Sequence, residues 1–174
     1  MFMPCPLMVL LTRCLCLVSL LAGVVSPDFA AAAESSGLPL PRFVSLRSDE
    51  VNLRTGPGVR YPLDWIYSRR DLPVEVIAEF DAWRKIRDWE GTEGWVHQSM
   101  LSPRRMVVVT GAQRKLRADP DEQSPPLALV DPQVIGRLLA CPRERSYCRI
   151  EIDNFQGWLR RDEFWGVYPN EFIE

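Results

Sequence analysis

Histidine and cysteine are scarce in this chain, with one histidine (His97) and five cysteines among 174 residues. Cys5, Cys14 and Cys16 crowd the amino terminus, so only Cys141 and Cys148 serve the rest of the chain. A zinc centre needs about four soft ligands, and this supply does not reach it, so no metal is expected. A charge excess is missing too: 21 basic residues face 23 acidic ones for a net charge of −2. Such a chain makes no field that gathers phosphate-rich partners, and nucleic acid is not expected as a ligand. Neither G-x-x-x-x-G-K-[ST] nor G-x-G-x-x-G occurs, so no nucleotide cofactor is expected and the cofactor reading is none. A sustained helical period is also lacking, and 15 prolines break up any long helix.

At the amino terminus, MFMPCPLMVLLTRCLCLVSLLAGVVSPDFAAAAESS has the layout of a secretory signal peptide, assigned to residues 1–33. Arg13 precedes an apolar run from Cys14 to Val25, Ser26 and Pro27 break it, and Ala30 to Ala33 offer small-residue cleavage sites. A run of about a dozen residues is short for a spanning helix, which takes about 20. Membrane attachment is expected only if this segment is retained. Export, to the periplasm or beyond, follows, and with it the expectation that Cys141 and Cys148 form a disulfide across the polar turn CPRERSYC. A free thiol would be the refuting result.

Residues 34–42 read as a flexible leader. From Phe43 onward, short β-branched runs alternate with turn residues: VEVIAEF at 74–80, VVV at 107–109 and CRIEI at 148–152. An all-β fold follows. An internal repeat then sets the organisation. Leu53-Arg54 recurs as Leu116-Arg117 and Gly94-Trp95-Val96 as Gly157-Trp158-Leu159, both at an offset of 63, while WRKI (83–86) answers YCRI (147–150) at 64. Two units follow, 43–104 and 105–174, joined at SPRR (102–105).

VNLRTGPG, PVEVIAE, WRKI and EGWVHQSML together resemble the bacterial SH3-like (SH3b) domain of exported proteins. The resemblance implies two tandem small β-barrels. It is carried in the first unit by Asn52, Arg54, Thr55, Gly56, Pro57, Gly58, Gly94 and Trp95. In the second unit RKLRADPDEQSP replaces the glycine-rich loop, so that unit is the degenerate one. Gly56 and Gly58 are expected to permit positive φ in a tight reversal, and Gly94 to let the chain bend as Trp95 enters the core. Core roles are likewise expected for Trp158, and exposure for Trp89 in the turn DWEGTEG.

The resemblance also implies a peptide groove beside the glycine loop, with Tyr61, Trp65, Trp83 and Trp89 as its aromatic residues. The ligand would be a peptidoglycan stem peptide or a peptide segment of an envelope protein. The alternative is a structural or assembly subunit of an envelope complex with no wall ligand. SH3b modules accompany exported cysteine peptidases, but two such units leave no chain for a catalytic domain, so no enzyme is expected. His97 is assigned a surface or capping role. The carboxylates Asp49, Glu50, Asp88, Glu90, Asp162 and Glu163 are read as solvated turn residues. The tail FWGVYPNEFIE either finishes the second unit or packs on the first, and both placements stay open.

Overall fold

The structure, a computed structural model, describes residues 35–174. The signal peptide assigned to 1–33, with Cys5, Cys14 and Cys16, lies outside the described residues. The described chain is all-β and forms two antiparallel seven-stranded sheets. The first holds β1 (Arg42–Leu46), β2 (Val51–Arg54), β3 (Leu63–Tyr67), β4 (Pro73–Phe80), β5 (Trp83–Arg87), β6 (Glu93–His97) and β7 (Leu101–Ser102), with a short 3₁₀ turn at Gln98–Met100. The second holds β8 (Met106–Val109), β9 (Arg114–Arg117), β10 (Pro126–Val130), β11 (Ile135–Ala140), β12 (Tyr147–Ile152), β13 (Phe155–Arg160) and β14 (Phe164–Trp165).

The strand orders are β3-β2-β6-β5-β4-β1-β7 and β10-β9-β13-β12-β11-β8-β14, the same topology twice. Neither sheet closes into the barrel that was expected. β3 and β10 end their sheets on one side, and the opposite edges, β7 and β14, are two residues long. β3 is not paired with β7, nor β10 with β14, so each sheet stays open. Each open sheet instead folds over its own core, around Leu46, Leu53, Val74, Ile86 and Val96 in the first and Val107, Leu116, Ile150 and Leu159 in the second.

The G-W pair works differently from the expectation. Side chains alternate along a strand, and in β6 the inward positions are Gly94 and Val96, while Trp95 is only half-buried. A Cβ on Gly94 would lie 2.5 Å from the Leu53 Cγ, so glycine is required because Leu53 fills the space above it. Gly157 meets Leu116 in the same way, at 2.7 Å. Trp95 pairs with Arg54 and Trp158 with Arg117 on the face turned away from the core.

The loop after β2 also departs from expectation, since neither Gly56 nor Gly58 has a positive φ. Gly56 is needed for space: a Cβ there would sit 2.3 Å from the Tyr61 ring. Its backbone pattern recurs in the second unit. Gly58 N donates to Gly56 O at 3.0 Å and Asp121 N to Asp119 O at 2.8 Å, while Thr55 N and Ala118 N each reach a proline carbonyl at 3.1 Å.

Cys141 and Cys148 are joined by the expected disulfide, with Cα atoms 4.3 Å apart. At the corresponding end of the first unit, the Glu79 carboxylate takes two hydrogen bonds from Ser36, both 2.7 Å, one from Arg42 at 2.6 Å, and the Arg84 guanidinium at 3.1 Å. Burial opposes ionisation of Glu79, but the Ser36 and Arg42 hydrogen bonds and the Arg84 charge hold its carboxyl down to about 2. The segment read as a flexible leader is therefore pinned at Ser36.

The two sheets pack against each other through elements that lose the usual in-out alternation. β8 (MVVV) is buried at every position, as strands covered on both faces are. Phe43 of β1 meets the rings of Trp165 and Tyr168, both with centroids 4.7 Å away, and Ile135 packs on the first core. Arg105, in the joint, bonds Glu171 and the Gly166 carbonyl and lies over the Phe43 ring at 5.7 Å. The tail thus does both things left open: β14 completes the second sheet, and Tyr168 reaches the first.

Candidate binding cleft

The seam between the units opens into a cleft of about 460 Å³. One wall comes from β4 and the β5–β6 hairpin of the first unit, the other from the tail of the second. β4 contributes Glu75, whose buried position in a β-branched run follows from its facing the second unit rather than solvent. Glu75 accepts from Arg87 Nε at 3.1 Å and Nη2 at 2.6 Å, and from the Tyr168 hydroxyl at 2.8 Å. Burial first, and then the bond to Glu75, push the Tyr168 phenol well above its ordinary value.

The hairpin turn is organised by Asp88, which is buried and not solvated as expected. Its carboxylate accepts from the Tyr67 hydroxyl at 2.9 Å and from the Glu90 and Thr92 amides at 3.0 and 2.9 Å. Three donors thus satisfy the hydrogen-bonding capacity of a carboxylate that solvent does not reach. Burial and the Asp88 bond push Tyr67 far above the usual phenol range. Gly91, at φ +90°, then turns the chain back toward β6. The result presents Trp89 and Glu90 to the cleft. Trp89 is half-buried and packs on the first core, in place of the exposure expected, because Asp88 draws the turn inward. Glu90 is exposed and has no cation partner among the described residues.

Of the four aromatics expected to line one groove, Trp89 alone is in this cleft. Trp83 opens β5 and stands edge-on to His97 at 5.5 Å. Trp89 lies beyond the other end of the same strand, six residues on, which is roughly 20 Å. Tyr61 lies against Gly56, and its carbonyl accepts from Arg54 at 2.8 Å. Trp65 sits on the edge strand β3 and is 57% exposed. His97 caps the 3₁₀ turn, accepting from the Ser99 amide at 3.3 Å. The cleft residues that sequence reading missed are Phe43, Glu75, Trp165 and Tyr168. The aromatic tail was the available signal, and only its docking tells where it points. Indole and phenol walls above a free carboxylate suit an extended peptide bearing an amine.

Fold and cleft together define an all-β protein of two small units with an aromatic seam between them. Within it, residues 47–103 match the family described as Bacterial SH3 domain. Among solved structures, NlpC1 from Trichomonas vaginalis is similar at 12% identity over 76% of this chain and 48% of that one, with a TM-score of 0.34. An NlpC/P60 family protein from Bacillus cereus is similar at 17% identity over 71% and 55%, with a TM-score of 0.32. The chain spans about half the length of these structures. No curated protein matches it.

Proposed function

We propose that this chain is an exported, non-enzymatic binding protein of two SH3b-like units, the second a diverged copy of the first, that holds a peptide of the cell wall or of an envelope protein in the seam between them. The observation that carries this reading is the cleft, where Trp89, Trp165 and the unpaired Glu90 face one opening. The first unit's match to a bacterial SH3 family supports a wall-associated role. The non-enzymatic reading is supported by the disulfide, which consumes both thiols of the described residues, and by the short-range bond of His97 to the Ser99 hydroxyl two residues on, which belongs to the cap of the 3₁₀ turn.

The test is co-sedimentation of the full chain with purified cell-wall sacculi. Wild type is expected in the pellet, while Trp165→Ala and the exposed substitution Glu90→Lys are expected to remain in the supernatant, Glu90→Lys with unchanged melting and therefore as the variant that separates lost binding from lost packing. Failure of the wild type to pellet, with a stoichiometric complex recovered from envelope extract, sinks the wall reading and favours an assembly subunit. Turnover of a wall fragment by pure protein sinks the non-enzymatic one.

A further inference from the structure

The edge strands β3 and β10 both expose apolar side chains and are flanked by opposite charges, with Asp64 the one acid on β3 itself. In β3, Trp65 is paired with Leu53 and therefore stands on the core-facing side of the strand, yet 57% of it is exposed. Leu63 and Ile66 beside it are also exposed. In β10 the corresponding pairing is Ala128 with Leu116. Alanine holds the place of the indole, and Val130 holds the place of Tyr67.

These two smaller residues leave an open pocket of about 200 Å³ with an apolar floor at Leu116, Val130 and Ile152 and a rim that joins the exposed Phe155 to the carboxylates of Asp131 and Asp153. An apolar cavity of about 150 Å³ holds a benzene ring, so this pocket has room for one aromatic side chain, whose ring would cover the apolar floor while an indole N–H faces the acidic rim.

The flanks decide what supplies that side chain. β3 is bracketed by Arg60 on one side and Arg69 and Arg70 on the other. β10 is bracketed by Asp119, Asp121 and Glu122 before it and Asp131 after it. All seven are exposed, and none is in an ion pair among the described residues. Set antiparallel, the Arg69-Arg70 end of β3 meets the Asp119–Glu122 end of β10, and Arg60 meets Asp131. Pro126 lacks a donor and both edges carry a bulge, so side chains rather than a backbone ladder carry the contact.

We infer that β3 of one copy docks on β10 of a second copy, inserting Trp65 into the pocket beside Ala128. The contact uses two different surfaces, so each pair keeps one free β3 and one free β10, and association continues head to tail.

Sedimentation equilibrium of the full chain tests this. The average mass is expected to rise past that of a dimer with concentration and to fall with added salt, which screens the flanking charges. Trp65→Ala, and separately Ala128→Trp, which fills the pocket, are each expected to be monomeric with wild-type melting. Arg69→Glu with Arg70→Glu repeats the test without touching the apolar surface. Mixing Trp65→Ala, which keeps a working β10, with Ala128→Trp, which keeps a working β3, is expected to give a one-to-one pair that grows no further. A wild-type chain that stays monomeric to about 1 mM, a Trp65→Ala chain that still associates, or a mixture that gives no pair overturns the inference.

Discussion

The hairpin between the fourth and fifth strands is closed in two ways in the two units. In the first, Glu79 and Arg84 face each other across the ladder as a buried ion pair. In the second, the matching positions are Cys141 and Cys148, joined covalently. The loops after β2 and β9 show the same kind of exchange. Tyr61 fills the first loop and forbids a side chain at position 56. In the second loop Ser124 stands in its place, donor and acceptor to Asp119, which itself has a side chain where Gly56 has none. At the pocket end, the Tyr67–Asp88 bond gives way to Val130 and Ile152. One backbone is thus held by rings and ions in the first unit and by a cross-link and smaller groups in the second. Side chains that touch change together, because a ring and the glycine beneath it, or a pair of charges, are useful only as sets.

The comparison can be broken at each of these places. The largest effect is expected from Arg84→Ala, which leaves Glu79 buried with less compensating charge and should cost about 3 kcal/mol, read as a lowered denaturant midpoint. The same network carries a pH dependence. Glu79 is held below its ordinary carboxyl value, so its contribution is present above about 4.5 and is lost as pH falls toward about 2. Acid titration should loosen the first unit in that window, and Glu79→Gln should flatten the response.

Reduction of the disulfide, or Cys141→Ala with Cys148→Ala, should cost about 2 kcal/mol. Hydrogen exchange is expected to rise in residues 106–165 and not in 42–102; equal loosening of both sheets would mean that the cross-link supports the seam rather than its own unit. Gly56→Ala and Tyr61→Ser give the smallest signal and the sharpest one. Each alone should destabilise, while the double variant, which imitates the second unit, should recover about 1 kcal/mol relative to their sum. Strict additivity would show that the ring and the glycine are not coupled.

Much of this was legible in the sequence. β-branched alternation in VEVIAEF and CRIEI announced an all-β chain, because a half-covered strand must alternate. The repeat announced matching strands, and scarcity of other thiols paired Cys141 with Cys148. Other readings failed for local reasons. Trp95 was assigned to the core because large aromatics are costly to expose, but Leu53 occupies that space and gives the inward position to Gly94. Trp89 and Asp88 were read as exposed turn residues, since nothing in DWEGTEG shows that Tyr67, 21 positions earlier, donates to the carboxylate. Trp83 and Trp89 share one groove only by the resemblance, and the extended strand between them sets them apart.

What the sequence determined by itself was the strand content and the cross-link, both of which rest on periodicity and short separations along the chain. The open sheets, the seam and the cleft were decided by tertiary structure alone. They depend on which face of β1 and β4 the second unit covers and on where the tail comes to rest, and those contacts join residues such as Glu75 and Tyr168 that lie 93 positions apart.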